Sequence, residues 1–290
     1  MKKRMRQTLS LLLSLMMVLI ILPTSAFAAE PGSDSVYFPS KIVDNQTTYT
    51  YTYDNGVMTC QSSSAEDYDY NTFESLFVLP KDTNLRNIVL SEAANFDNSY
   101  RIDIMLSDAV AAGKINGYVD ELGDGANYTL SDGKISSLKY TTATNNSTFE
   151  YSKGNLTKIN LSFYSEVYLG EDTATYKISY KNGAVSSVRY QASESEGTYN
   201  YTNDKQGRVT QIKYKYFGGD EEIGTLKFTY DKNGNLTGIS NKWHYSGTPK
   251  TSYTTTVHLS YTDNLVTKVT VKSNEPYSRN HTITAEYQTL

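Results

Sequence analysis

The stretch Phe228-Thr-Tyr230-Asp-Lys-Asn-Gly234-Asn-Leu236-Thr-Gly-Ile239 decides the fold. Phe228 and Tyr230 stand two apart with polar Thr229 between them, the pattern of a strand with one buried and one wet face. Asn233-Gly234 then supplies a tight turn, because glycine and asparagine take a positive φ at the lowest cost. Aliphatic residues follow at fixed offsets from the glycine, Leu236 at +2 and Ile239 at +5. The segment therefore reads as one β-hairpin.

The same hairpin recurs along the chain, and internal repetition settles architecture ahead of any other signal. Before the turn stand Tyr51/Tyr53, Tyr128/Leu130, Phe149/Tyr151, Ile178/Tyr180, Tyr199/Tyr201 and Leu259/Tyr261. Their turns are Asn55-Gly56, Asp132-Gly133, Lys153-Gly154, Asn182-Gly183, Gln206-Gly207 and Asp263-Asn264. The +2 aliphatics are Ile135, Leu156, Val185, Val209 and Val266, and the +5 aliphatics are Leu138, Ile159, Val188, Ile212 and Val269. Position +7 carries Tyr140, Leu161, Tyr190, Tyr214 or Val271, with Asn241 the exception. The step from +2 to +5 is odd, so in a regular strand it crosses faces. Either the +2 residue packs on the other face or a bulge restores the phase, and recurrent bulges would curl the sheet.

Composition agrees with β structure throughout. Tyrosine makes up 26 of 290 residues, and Thr, Ser, Val and Ile fill most other strand positions, types that suit a pleated, half-buried surface. Only Pro249 and Pro276 fall in the second half of the chain, so long strands run uninterrupted. The expected fold is all-β: an antiparallel meander of serial hairpins forming a curved sheet or a partial barrel or roll. A short irregular or helical insertion interrupts it near 62–127. There Leu85 to Leu90 and Tyr100 to Leu106 read as strands, and Ser107 to Gly113 as a short helix with Ser107 as N-cap and Gly113 as its stop. The return loops around Asn145, Glu194-Ser195-Glu196-Gly197, Gly218-Gly219-Asp220 and Gly247-Thr-Pro249 should all leave from the edge opposite the glycine turns.

Residues 1–28 read as an export signal. Lys2, Lys3, Arg4 and Arg6 precede an apolar run from Leu9 to Leu22, and Ala26-Phe27-Ala28 supplies the cleavage pattern before Ala29. The run is shorter than the ~20 residues a membrane helix needs, and no membrane span is expected after signal removal. Residues 29–290 then form a single β-repeat domain: a degenerate first hairpin at 29–61, an insertion or cap at 62–127, and the repeat array at 128–290. Losing the four leader cations takes the 27 basic residues to 23 against 31 acidic ones, a net charge of −8. That balance favours solubility and gives no nucleic-acid footprint, which needs a basic stripe. Cys60 is the only cysteine, so no internal disulfide forms and its expected role is buried packing.

The core Tyr230-Asp231-Lys-Asn-Gly234-Asn-Leu236-Thr237 resembles the YD repeat of the Rhs family of bacterial exported and cell-surface proteins. The resemblance runs from about 128 to 271, with a degenerate copy at 51–60. It implies long β-sheets that spiral into a shell. This chain carries fewer repeats than a closed shell needs, lacks the second Asp-Gly signal in most of them, and is expected to carry no extra C-terminal domain. The family's toxin-delivery role is not carried over.

Catalytic chemistry is sparse. The sequence holds no H-E-x-x-H, G-x-S-x-G or Walker loop. His244, His258 and His281 lack a carboxylate at ligand spacing and read as solvent-facing. Asp67-Tyr-Asp69-Tyr-Asn71 opens like a calcium loop, but Thr72 replaces the turn glycine and Val78 the closing glutamate. Trp243 lies at +9, in phase with Phe163 and Tyr216, and is expected in the core rather than on a sugar-stacking platform. No catalytic, metal or cofactor residue is assigned, and the binding residues are unknown. The expected function is non-catalytic binding outside the cell or in its envelope, to a glycan, matrix or protein partner. The alternatives are a secreted carbohydrate-active enzyme with acids on the return loops and a structural envelope component.

Overall fold

A computed structural model describes residues 36–44, 47–63, 74–91, 107–119, 125–140, 146–165, 170–275 and 280–290. Among the described residues, seventeen strands form one sheet. The first four are β1 (Tyr37–Asp44), β2 (Thr47–Asp54), β3 (Val57–Ser62) and β4 (Gly117–Val119). Next come β5 (Gly125–Ser131), β6 (Lys134–Tyr140), β7 (Asn146–Ser152), β8 (Asn155–Ser165) and β9 (Gly170–Lys181). The array continues with β10 (Ala184–Gln191), β11 (Glu196–Asn203), β12 (Val209–Phe217) and β13 (Glu221–Tyr230). It ends with β14 (Leu236–Tyr245), β15 (Tyr253–Thr262), β16 (Leu265–Ser273) and β17 (His281–Thr289). The expected export signal and the Asp67–Asn71 stretch lie outside the described residues, as do 100–106.

Each strand pairs with the next in sequence, and β17 pairs with β1, so the sheet closes into a barrel. The all-β hairpin architecture expected from the sequence is present, and the expected curved sheet or partial barrel is corrected to a closed one. Closure rests on β1 and β17, which carry no glycine turn between them, so the repeat pattern gave no hint of it. A second correction follows from arithmetic. Strand direction cannot alternate all the way round a ring of seventeen, and one pair must run parallel. That pair is β3 and β4. The chain between them therefore has to cross from one end of the barrel to the other.

The odd offset resolves as a bulge. In β5–β6 the pairing slips so that Leu130 faces Ile135 while Thr129 faces Ser137, and the same slip occurs at the five later repeat turns. The skipped residue is always the hydroxyl at +3. Ser136, Thr157, Ser186, Thr210 and Thr237 each donate across the bulge to a carbonyl of the preceding strand, at 3.0–3.2 Å. In the last repeat Thr267 meets Thr262 side chain to side chain. With phase restored, every +2 and +5 aliphatic is buried. The first copy differs because its pairing has no slip: Met58 and Cys60 stand an even distance apart and both are buried.

Tyrosine, too, has a defined task. Tyr180 donates its hydroxyl to the Leu156 carbonyl (2.6 Å), Tyr230 to Val209 (2.8 Å), Tyr261 to Leu236 (2.8 Å) and Tyr287 to Val266 (2.7 Å). Each acceptor is the +2 residue of the previous repeat. A phenylalanine would fill the space and leave the carbonyl without its donor. Beside these half-buried rings, Glu150, Ser179, Thr229 and Ser260 are exposed, so the tyrosine face is the barrel interior.

The glycine-turn end is covered by the crossover. Leu85 to Leu90, expected as a strand, lies instead in a helix, α1 (Thr83–Ser91). Asp82 caps it by accepting the Leu85 amide (2.9 Å). Asn84 and Asn87 then address two successive turns in the same way. Asn84 donates to the Gly183 carbonyl (3.1 Å) and accepts from the Val185 amide (3.2 Å). Asn87 does so with Gly207 (2.8 Å) and Val209 (3.1 Å). The short helix α2 (Ser107–Ala111) packs near β6 and ends at Gly113, which has φ +69°.

Candidate functional site

The opposite, return-loop end of the interior is built from different chemistry. In the repeats whose +7 residues are Tyr190, Tyr214 and Asn241, strand positions from +7 onward leave the aliphatic layers and become aromatic or polar, while Leu161 and Val271 keep the +7 layer aliphatic elsewhere. Tyr190 and Tyr216 lie near-parallel, with centroids 6.2 Å apart, and Tyr176 packs on Tyr190 at 4.9 Å. Trp243 sits between Tyr253 (4.6 Å) and Tyr245 (5.2 Å). Trp243 is 5% exposed and Tyr245 36%, so this aromatic group runs from the core to the rim. The expectation that Trp243 is a core residue is met; of its two neighbours Tyr245 is exposed and Tyr253 half-buried.

Glycines make room for the rings. Tyr214 lies directly opposite Gly224 on the neighbouring strand. A Cβ on Gly224 would stand 2.3 Å from the Tyr214 ring, so only glycine lets that ring lie across the strand. Tyr216 faces Gly197 in the same manner, and a Cβ there would come within 3.3 Å of it.

The polar part centres on Glu222. Tyr214 donates its hydroxyl to Glu222 Oε1 (2.5 Å), and the buried Asn241 amide donates to the Tyr214 oxygen (3.2 Å). Next to them, buried Thr255 is 3.0 Å from Ser273, whose hydroxyl accepts the Glu275 amide (3.2 Å). Burial pushes the Glu222 carboxyl above the usual range; the Tyr214 hydrogen bond works against this and the charge of Glu275 adds to it. Burial, and then Glu222 itself, raise Tyr214 well above an ordinary phenol. Tyr245 faces Glu222 across the strand pair and is shifted up in the same direction, by burial and by the carboxylates of Glu222, Glu275 and Asp220. A half-buried carboxyl that resists ionisation, held beside the exposed Tyr245 ring, can accept or donate hydrogen bonds to a hydroxyl-rich ligand stacked on that ring.

The sequence assigned no role in a site to Glu222, Tyr214 or Glu275. Its one signal was Asn241, the polar residue at an otherwise apolar +7 position. The histidines are dispersed: His244 faces Ile223, His258 faces Thr270 and His281 faces Val271. His258 is exposed, His244 and His281 half-buried, and His281 Nε2 is 3.9 Å from Asp44. The described residues contain no group of three or more His, Cys, Asp or Glu that could hold a metal ion.

No known protein-family profile matches the chain, and no curated protein matches it. Solved structures similar to it include a porin-like protein from Bacteroides vulgatus, at 14% identity and TM-score 0.39, covering 57% of this chain and 92% of that one. Another is the TcdB2-TccC3-Cdc42 complex, at 15% identity and TM-score 0.26; the match spans 55% of this chain and 10% of that one. Likenesses this remote leave the assignment to the geometry.

Proposed function

We propose that the protein is an exported, non-catalytic binding barrel of the cell envelope or its surroundings, and that it engages a glycan at the return-loop end. The observation that carries this reading is the contrast between the two ends. One end is covered by α1, whose asparagines satisfy the turns beneath it. The other presents Tyr245, Tyr253, Glu222 and Glu275 at the rim. The repeats supply a framework whose bulges and carbonyls are internally satisfied, and serial hairpins of this kind are in keeping with YD-type export proteins.

The barrel works in water rather than across a bilayer. Lys177, Lys213, Lys227 and Lys242 are exposed on its outer wall, and a lysine on the lipid side of a spanning barrel costs about 2–4 kcal/mol at the midplane. Most of the apolar residues face the interior rather than the exterior. An envelope location therefore means association with envelope material from the aqueous side.

A glycan array probed with the leaderless protein tests the reading, with hydrolysis products followed in parallel. Binding that is lost in Tyr245→Ala and Tyr253→Ala, with no product released, is the expected result. The raised Glu222 carboxyl supports a second reading, a glycan-cleaving enzyme with Glu222 as general acid. Product formation abolished by Glu222→Gln would establish that reading instead.

A further inference from the structure

The outer wall carries a feature that the net charge of the chain conceals. Lys158 faces Lys177, Lys177 faces Arg189, Arg189 faces Thr198 and Thr198 faces Lys215, so one cross-strand row from β8 to β12 holds four cations. The next row places Lys213, Thr225 and Lys242 side by side. The third carries Lys227, Ser240, Thr256 and Lys272. Adjacent strands lie about 4.8 Å apart and alternate residues about 6.7 Å apart, so the rows form one continuous band.

Neutralising partners are few. Lys158 is held by Glu150 (3.0 Å) and Lys215 by Glu221 (2.6 Å), both at the margins of the band. Among the described residues Lys177, Arg189, Lys213, Lys227, Lys242 and Lys272 form no ion pair, and all six are exposed. Like charges directly opposite one another on adjacent strands destabilise a sheet. Lys177 opposite Arg189 is therefore a standing cost to the fold, and an anion laid across the pair would remove it. The carboxylates of the same strands lie elsewhere: Glu171 and Asp172 at the start of β9, Glu196 and Glu221 at the return-loop ends of β11 and β13, and Glu222 inside.

We propose that this band, running from Lys177 and Arg189 across Lys213, Lys227 and Lys242 to Lys272, binds a flexible, linear anionic polysaccharide. Its length spans eight strands, so it fits an extended chain with repeating charges and not a single small anion. Thr198, Thr225, Ser240 and Thr256 lie between the cations and supply hydroxyls for a hydroxyl-rich polymer. Single-stranded nucleic acid is bound by basic grooves with aromatic rings interleaved. This wall is convex, and its exposed ring is Phe217 at the return-loop end. The choice of polymer rests on the envelope-side reading above, while the band is separate from the aromatic rim.

The test measures affinity of the leaderless protein for alginate, a linear uronate polymer, against neutral dextran and duplex DNA. Alginate should bind and dextran should not, with affinity falling at least about tenfold between about 20 and 200 mM salt. The K213E/K227E/K242E variant should lose about tenfold or more. A K139E/K205E/K232E variant, equal in net charge but altered away from the band, should stay within about threefold. Unchanged thermal melting of both variants shows that the fold is kept, and Tyr245→Ala should bind alginate normally. No alginate binding at low salt, equal losses in the two triple variants, loss in Tyr245→Ala, or tighter binding to DNA than to alginate would each overturn the proposal.

Discussion

Tyr230 donates its hydroxyl to the carbonyl of Val209 at 2.8 Å, joining the strand before one turn to the strand after the previous turn. The Arg208 guanidinium lies over the same ring, 4.7 Å from its centroid. The ring and the hydroxyl thus have separate tasks, and substitution can divide them.

Tyr230→Phe keeps the ring under Arg208 and removes only the donor. The Val209 carbonyl is then left without its partner in a buried position, at a cost of about 1–3 kcal/mol. Urea unfolding should show that loss with an unchanged m-value. Tyr245→Phe, at the exposed rim, should change stability by less than about 0.5 kcal/mol. Equal effects of the two substitutions would mean that the hydroxyl link carries no stability.

Asn87 makes a comparable link from α1. Asn87→Leu keeps the volume but strips the Gly207 carbonyl and the Val209 amide of their side-chain partner, so about 2–5 kcal/mol should be lost. The Val209 amide should exchange faster by more than the change in global stability explains. The Val185 amide, held by Asn84, should follow the global change alone. Uniform acceleration of both would show that α1 does not address the turns individually.

These links mark how far the sequence could be read. The hairpins, their glycines and the buried +2 and +5 positions were legible because turn chemistry and two-residue alternation are local. The odd step announced a choice between a crossed face and a bulge, and the +3 hydroxyl was the clue that decides it. That clue was visible only as a recurring Ser or Thr until its acceptor was known. Leu85 to Leu90 was misread as a strand because Ile88-Val89-Leu90 is rich in strand formers. Asp82 three residues before Leu85, with Leu85, Ile88 and Val89 at helical spacing, was the better guide. Closure and the Glu222 cluster were illegible for another reason. Each depends on residues far apart in sequence that meet only once the register of many strands is fixed.

Glu222 should show itself in the pH dependence of stability. Its carboxyl is pushed up by burial, so the folded chain holds that proton more tightly than the unfolded chain does. The stability this contributes is complete below the unfolded value of about 4.3 and is lost as pH rises through the higher folded value. Glu222→Gln cannot lose it. The variant should therefore match the parent near pH 4 and equal or exceed it at pH 7, measured by urea unfolding at both. A Gln variant less stable than the parent at pH 7 would make the carboxylate a structural anchor rather than a group retained for binding.

Gly183 tests the unity of the barrel. Its φ is +81°, and a Cβ placed there would meet nothing within 4 Å. The penalty for a side chain is therefore backbone strain alone, about 1–2 kcal/mol for a left-handed residue, with β-branching adding to it. In an open array of repeats such damage stays with the altered hairpin and its neighbours. Here β17 returns to β1, so no strand is free to fray independently. Gly183→Val should lower amide protection across all the strands by a similar amount, down to β1 and β17 on the far side. Protection lost only in β8 to β11 would show that the ring of hydrogen bonds opens in parts, and that the closed sheet does not unfold as one cooperative unit.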